Sequence, residues 1–476
     1  MAALLSESFH LTLIAVTLTA SLTASAHALL NKRDPRSAAA WIALCMLFPV
    51  IGVLAYLALG VNRIRTRARR LHDLPLDVPA SIPLTNVPDA DETAIDPRYR
   101  NQAALGRAVS QQRLCWGNHV LPLVDGDMAY PAMLDAIAGA QQSIWLATYI
   151  FDTRGAGRAF VDALVAARAR GVEVKVLVDG IGELYSWPLV SRALGNHGLS
   201  VARFLPPGFS RPAFSINLRN HRKLLIVDGR RAFTGGMNIR TKHRSVGPHA
   251  AKVRDIHFAV DGAVVAQLAA VFANDWRFTT GEQLRVPDPM RSDGMPACRV
   301  ISDGPNEDLD KILWLLVGAI SLAQHRIVMM TPYFVPPREL LVALQTAALR
   351  GVKISLLLPQ TNNFQFMNWA AMHAIGPLLK TGVEVQWCRG RFVHSKLFVV
   401  DDYYALIGSS NLDQRSLRLN FELAVEVFDG DFAGRLTAYF DAMRADADTQ
   451  SLKSWASRAL PVRLRDGFCW LFSPYL

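Results

Sequence analysis

The sequence predicts an α/β fold: two pseudo-symmetric α/β sandwich halves behind an N-terminal two-helix transmembrane hairpin. Three observations carry this expectation. A strand, helix, strand pattern occurs twice in the same order. One His-x-Lys motif occurs twice with the same downstream spacing. Two apolar stretches open the chain, each about the ~20 residues that a membrane-spanning helix needs.

The apolar stretches, residues 9–30 and 38–59, are joined by the polar turn Asn31-Lys32-Arg33-Asp34-Pro35-Arg36. The first resembles a secretory signal in offering Ala26-His27-Ala28 as a cleavage site, but it lacks a basic leading region and a second span follows at once, so an uncleaved hairpin is expected. Pro49 and Gly52 are tolerated in such helices. Then comes Arg63-Ile64-Arg65-Thr66-Arg67-Ala68-Arg69-Arg70, five arginines in eight residues, a run that marks a cytoplasmic face and draws anionic headgroups. Against the three cations of the turn, it places both ends of the hairpin in the cytoplasm: a multi-pass membrane protein with the rest of the chain on the cytoplasmic side. The net charge of +11 calls for an anionic partner. Charge alone leaves nucleic acid and anionic lipid open; the hairpin selects lipid, and no nucleic acid is expected.

Residues 71 to about 100, rich in Pro, Asp and Thr without periodicity, read as a linker. In the first half, residues 143–151 form a strand, 157–170 an amphipathic helix and 172–179 a strand; residues 326–334, 338–350 and 352–359 repeat that order, and Arg170-Gly171-Val172 is echoed by Arg350-Gly351-Val352. The expected organisation is a hairpin (1–62), a basic, Pro-rich linker (63–105), a first half (106–290), a second half (291–450) and a C-terminal tail (451–476). That tail mixes Arg458, Arg463 and Arg465 with Phe468, Trp470, Leu471, Phe472 and Tyr475, the composition of an interfacial helix. Asn306-Glu307-Asp308-Leu309-Asp310 reads as an acidic helix start rather than a metal cluster. The five dispersed cysteines read as free thiols.

The chemistry resides in the doubled motif. The first copy is His221-Arg222-Lys223, then Asp228 and Gly235-Gly236-Met237-Asn238. The second is His394-Ser395-Lys396, then Asp401 and Gly408-Ser409-Ser410-Asn411. Residues at i and i+2 of an extended strand share a face, so each His sits beside its Lys. The glycines are expected to let the backbone approach a ligand, with Asn238 and Asn411 donating to phosphate oxygens. Two imidazoles and two ammonium groups around one pocket suit a phosphodiester: Lys223 and Lys396 stabilise charge growing on phosphorus oxygens, one neutral His attacks phosphorus, and the other protonates the leaving oxygen. Asp228 and Asp401 complete the expected catalytic set. Asp255 and Glu422 are expected to orient the rings, and no metal or other cofactor is expected.

At these residues the chain resembles the phospholipase D superfamily, and its flanks are similar to the bacterial cardiolipin synthase branch. The similarity rests on residues 217–223, Phe233-Thr234-Gly235-Gly236-Met237-Asn238-Ile239, Thr331-Pro332-Tyr333-Phe334-Val335-Pro336, and the run from Ser410-Asn411-Leu412-Asp413 through Arg415-Ser416 to Leu419-Asn420-Phe421-Glu422. It implies two phospholipase D-like halves and a phosphatidyltransferase that joins two phosphatidylglycerol molecules into cardiolipin, releasing glycerol through a phospho-histidine; it also implies His221 as nucleophile and His394 as general acid. Phospholipid hydrolysis and the use of phosphatidylethanolamine as co-substrate remain open at this stage. Nuclease activity and a silent lipid-binding scaffold are disfavoured by the hairpin and by the intact motifs. Arg240-Thr241-Lys242-His243 departs from the acidic, tyrosine-containing continuation of the family, and Lys252-Val253 from its Pro-Trp pair; these departures bear on substrate choice rather than reaction type.

Overall fold

The structure, a computed structural model, describes residues 2–32, 35–60, 94–207, 218–245, 253–290, 292–304 and 310–473. The arginine run at 63–70, most of the linker, and residues 306–309 of the acidic segment lie outside the described residues. The chain divides into two compact units, residues 1–74 and 75–476.

In the N-terminal unit the helix Ala2–Asn31 contains one stretch, His10–Asn31, long and apolar enough to cross a membrane. The second apolar stretch does not form one continuous helix: it runs as Pro35–Leu47, breaks at Phe48 and resumes as Pro49–Ala55. The cause is Pro49, which has no N–H for the carbonyl of Cys45 and whose ring crowds that carbonyl. Ser21 compensates, its Oγ donating to Cys45 O at 2.8 Å, the kind of side-chain rescue that lets proline persist in apolar helices. Ala24, Ala28, Cys45 and Tyr56 pack between the helices, and His27 Nδ1 meets Tyr56 Oη at 2.7 Å.

The larger unit is built on two sheets. The first half supplies β1 (Asn118–Val124), β2 (Ser143–Thr148), β3 (Glu173–Asp179), β4 (Ser200–Phe204), β5 (Leu224–Val227), β6 (Arg231–Gly235), β7 (Val253–Arg254) and β8 (Ile256–Gly262). The second supplies β9 (Ala297–Asp303), β10 (Arg326–Met330), β11 (Phe334–Val335), β12 (Lys353–Pro359), β13 (Glu384–Cys388), β14 (Phe392–Val393), β15 (Leu397–Val400), β16 (Tyr404–Gly408), β17 (Leu412–Asp413), β18 (Glu422–Phe428) and β19 (Ala447–Thr449). One sheet runs β1-β8-β6-β5-β2-β3-β4 and the other β9-β18-β16-β15-β10-β12-β13, with β19 added at its far edge. The orders correspond strand for strand. So do the registers: Ile144 faces Val227 across β2 and β5 as Ile327 faces Val400 across β10 and β15. The helices Ala156–Ala169 and Arg338–Leu349 make the parallel crossovers expected from sequence, within a residue or two of the expected ends.

The halves are not separate globules. One core holds Trp145, Leu177 and Ile226 from the first sheet, Val328, Val399 and Val425 from the second, and the buried faces of helices Val264–Thr280 and Gly430–Arg444. The end of the expected linker is ordered as well. Helix Arg100–Ser110 lies on the second half, with Gln102 Nε2 donating to Leu315 O and Tyr404 Oη. Gly106 is required there: a Cβ would fall 1.9 Å from the Arg299 guanidinium, which forms a fully buried ion pair with Glu426. None of the five cysteines forms a disulfide.

Candidate active site

Each motif leads into the strand formed by its own apolar run, β5 or β15. The backbone ties each motif to the opposite half. His221 N–H donates to Phe421 O at 2.9 Å, and His394 N–H donates to Arg254 O at 2.7 Å. Short parallel pairings extend both contacts, Asn220 with Phe421 and β14 with β7. Phe421 and Arg254 immediately precede Glu422 and Asp255, so each half delivers a carboxylate to the other half's histidine.

The side chains complete this exchange. His221 Nδ1 is 3.0 and 3.2 Å from the two Glu422 oxygens, and His394 Nδ1 is 2.7 Å from Asp255 Oδ2. A carboxylate accepts, so the ring hydrogen sits on Nδ1 and leaves the Nε2 lone pair to the reaction. Lys223 Nζ donates to His221 O at 2.5 Å and stands 5.7 Å from the centroid of Tyr149, whose ring also lies 5.3 Å from that of His221. Lys396 Nζ donates to His394 O at 2.7 Å and is 3.3 and 3.4 Å from the nitrogens of that ring.

Burial governs the proton affinities. It lowers Lys223 to about 7 and Lys396 to about 8, against the pull of the nearby carboxylates. Burial also lowers His221, and it lowers His394 further, to about 4, with Lys396 adding to the effect. For Asp255 and Glu422 burial works upward, but the histidines and lysines beside them prevail and hold both carboxylates below the usual range. Lys223 feels Lys396 and Asp255, and Lys396 feels Glu422. The two motifs therefore form one electrostatic site.

The two motif aspartates lie elsewhere. Asp228 accepts from the backbone N–H groups of Gln141, Gln142 and Ser143, and Asp401 from those of Gln324, His325 and Arg326, all within 2.9 Å. They stand at the far ends of β5 and β15 from the histidines, at φ 52° and 49°, left-handed turn positions that Asp tolerates. The expectation that they act catalytically is thus corrected: they clamp the loops that enter β2 and β10. The expected role of the glycines is also corrected. A Cβ on Gly236 would lie 2.8 Å from Asp255 Oδ1, and one on Gly408 would lie 2.1 Å from Leu423 O, so these glycines make room for the protein's own carboxylate strands rather than for a ligand. Asn238 accepts from Ile150 N–H through Oδ1. Asn411 donates to Ser416 Oγ and keeps its Oδ1 buried without a partner, so the donor expected to meet phosphate is engaged inside the second half.

Three residues escaped the sequence reading. Ser409 Oγ donates to Glu422 Oε2 at 2.5 Å, and Asn420 Nδ2 donates to Oε1 at 3.2 Å. His243 is buried with Nδ1 unpartnered, 3.7 Å from Asp255 Oδ2 and 5.9 Å, ring to ring, from His394. The signal for Ser409 was present, because it takes the place of Gly236 at a position where the two copies differ. His243 lies in the stretch that departs from the family pattern.

A family model described as "Cardiolipin synthase, PLD-like domain" matches residues 133–276 and 316–444, one segment in each half. The chain belongs to the cardiolipin synthase family. A model of the phospholipase D-nuclease N-terminal region matches residues 20–60, which agrees with membrane association of the first unit. Cardiolipin synthase 1 of Staphylococcus epidermidis is 30% identical over 94% of each chain, and the major cardiolipin synthase of Bacillus subtilis is 28% identical over 94% of this chain and 95% of its own. Among solved structures, phosphatidylserine synthase of Haemophilus influenzae superposes with a TM-score of 0.60 at 14% identity, covering 79% of this chain and all of its own; that likeness shows the fold alone. Membership of the cardiolipin synthase family makes the chain a phosphatidyltransferase.

Proposed function

We propose that this enzyme transfers a phosphatidyl group from one phosphatidylglycerol to another, giving cardiolipin and glycerol. The observation that carries the mechanism is the pair of Nδ1–carboxylate contacts, which turns both Nε2 atoms to the reaction. His221 Nε2 attacks phosphorus, the bond from phosphorus to the glycerol oxygen breaks, and His394 gives its proton to that oxygen. The terminal hydroxyl of the second lipid then returns a proton to His394 and attacks phosphorus, and the bond from phosphorus to nitrogen breaks. Lys223 and Lys396 offset the charge on the phosphorus oxygens. Lys396 helps keep His394 neutral; a phosphodiester anion beside that ammonium gives it a better partner and raises the proton affinity of His394, as a general acid requires. The scheme draws on no metal or other cofactor.

The assignment of the two histidines follows the family analogy and is tested by trapping. A covalent lipid adduct that accumulates in His394→Ala and is absent from His221→Ala supports it; the reverse pattern overturns it. Product analysis tests the acceptor. Purified protein given phosphatidylglycerol alone is expected to release glycerol and form cardiolipin. Product only after phosphatidylethanolamine is added would make that lipid a co-substrate, and phosphatidic acid would make water the acceptor. We also assign the hairpin two membrane passes with the catalytic unit in the cytoplasm, on the charge balance of the sequence; a C-terminal tag reached only from the outer side would overturn that placement.

A further inference from the structure

Exposed apolar side chains of the catalytic unit are densest in its C-terminal segment, where Leu452, Leu460, Leu464, Phe468, Trp470, Leu471 and Phe472 are all exposed. In the C-terminal helix Leu460–Leu471, residues Leu460, Leu464, Phe468 and Leu471 are 64, 64, 62 and 65% exposed, at spacings of three and four that align them in one row. The opposite side is anchored on helix Gln365–Ala374: Trp470 stacks on His373 at 4.8 Å, and the Arg465 guanidinium lies 4.4 Å from the Trp369 ring centre. Asp466 is buried, paired with Arg458 and Arg465. The helix therefore buries its one carboxylate and presents leucines outward, the reverse of an ordinary surface helix in water. The charge around the row is one-sided. From residue 452 to 473 the cations are Lys453, Arg458, Arg463 and Arg465, and the only acid is Asp466.

Packed aromatic rings lead from the reaction site to the start of helix Gln365–Ala374, the helix on which the C-terminal helix is anchored. Phe392 lies 5.7 Å from His394 and 6.2 Å from Tyr333. Tyr333 packs in the same cluster as Cys469 of the C-terminal helix, and its ring lies 6.5 Å from that of Phe364, which is 5.8 Å from Phe366; both phenylalanines are exposed. On the first half, Tyr149 links His221 to Tyr185, which is exposed together with Leu184 and Trp187.

We propose that the C-terminal helix, with Phe364 and Phe366, seats on an anionic lipid bilayer beside the mouth of the site, so that acyl chains pass from bilayer to enzyme along an apolar surface. The inference rests on the lipid substrate proposed above. A second copy of the chain is a poorer occupant, because a two-fold contact through this row would oppose one Arg463 to another. An anionic surface meets both the leucine row and its cations.

The test uses the full-length protein and two forms of phosphatidylglycerol, a long-chain form in vesicles and a short-chain form dispersed in water. Leu464→Glu/Phe468→Glu is expected to lower the rate on vesicles about tenfold while leaving the short-chain rate unchanged. Equal rates on vesicles, or an equal fall on both substrates, would overturn the proposal. So would a change from dimer to monomer in the variant, which would assign the row to a second copy. Arg463→Glu, an exposed single change, is expected to lower the vesicle rate about threefold at low salt, with the effect lost at high salt. The seating also has a readout independent of turnover: vesicles containing phosphatidylglycerol should slow tryptic cleavage after Arg463 relative to detergent. A wild type that makes no cardiolipin yet shows this protection would sink the catalytic proposal and leave the seating intact; cleavage at the same rate in both would sink the seating.

Discussion

The two halves of the site have the same backbone and different surroundings for their carboxylates. Glu422, which holds His221, also accepts from Ser409 and Asn420, two neutral donors. Asp255, which holds His394, accepts its own Ile256 N–H through Oδ1, and its Oδ2 faces two imidazoles, those of His394 and His243. Beyond the histidine and lysine that each carboxylate has beside it, Glu422 thus gains two neutral side-chain donors and Asp255 a second imidazole. The duplication kept the geometry needed to hold a ring and let the two electrostatic environments diverge, which is what unequal roles in one reaction require.

The largest effect tests whether the halves cooperate at all. Lys396→Ala is expected to lower transfer by about 10³-fold, because it removes a cation from the reacting phosphate and a neighbour from the His394 ring. Lys223→Ala, which removes only the first of these, should cost about 10²-fold. Initial rates on phosphatidylglycerol measure both, and full activity in either variant would remove that lysine from the mechanism. Next come the carboxylates. Asp255→Asn cannot present a carbonyl oxygen to both Ile256 N–H and His394 Nδ1–H, and a loss of about 10²-fold is expected. Glu422→Gln keeps an acceptor for His221 and can turn its NH₂ toward the hydroxyl of Ser409, so about a tenfold loss is expected. Equal losses would mean that the different surroundings have no consequence.

A smaller effect is visible in pH-dependent stability. Burial holds His243 near 3 and His394 near 4, both well below the ordinary 6.5. The folded state prefers these rings neutral and the unfolded chain does not, so stability is full above about pH 6.5 and falls as pH drops from there toward 4. His243→Phe removes one such ring beside Asp255 and should flatten that slope in denaturant titrations between pH 6.5 and 4; an unchanged slope would deny His243 this part. The smallest effect on turnover is expected where the halves are identical. Asp228→Asn and Asp401→Asn each weaken a clamp of three backbone donors, and each should cost about 1–3 kcal/mol of stability while the remaining folded enzyme keeps its rate. A large unequal loss of rate would reopen a catalytic part for one of them.

Local patterns made much of this molecule legible. The two apolar runs, the crossovers and the turns at Asp228 and Asp401 follow from periodicities within a few residues, and they appear close to where they were expected. The motif pairs His221 with Lys223 and His394 with Lys396 by strand alternation alone. Which carboxylate serves which histidine was not legible, since it depends on a pairing between Asn220 and Phe421 across about two hundred residues, and no local pattern encodes that partner. Helix Arg100–Ser110 is hard to read from sequence because its buried face, Gln102, Ala103, Gly106, Val109 and Ser110, carries one large apolar side chain, and Gly106 is there for closeness to Arg299. Sequence shows only that Pro49 is tolerated; its effect, a broken helix with Ser21 capping the freed carbonyl, depends on a neighbour twenty-eight residues away.

The crossed histidine–carboxylate pairs bear on ancestry. A chain carrying a single copy of the motif would hold an imidazole without its own orienting acid, and it would be complete only when a second copy lent one across a two-fold axis. With both copies in one chain that partner is always present and no symmetry axis constrains it. Each acid is free to differ, and here a glutamate in one half answers an aspartate in the other.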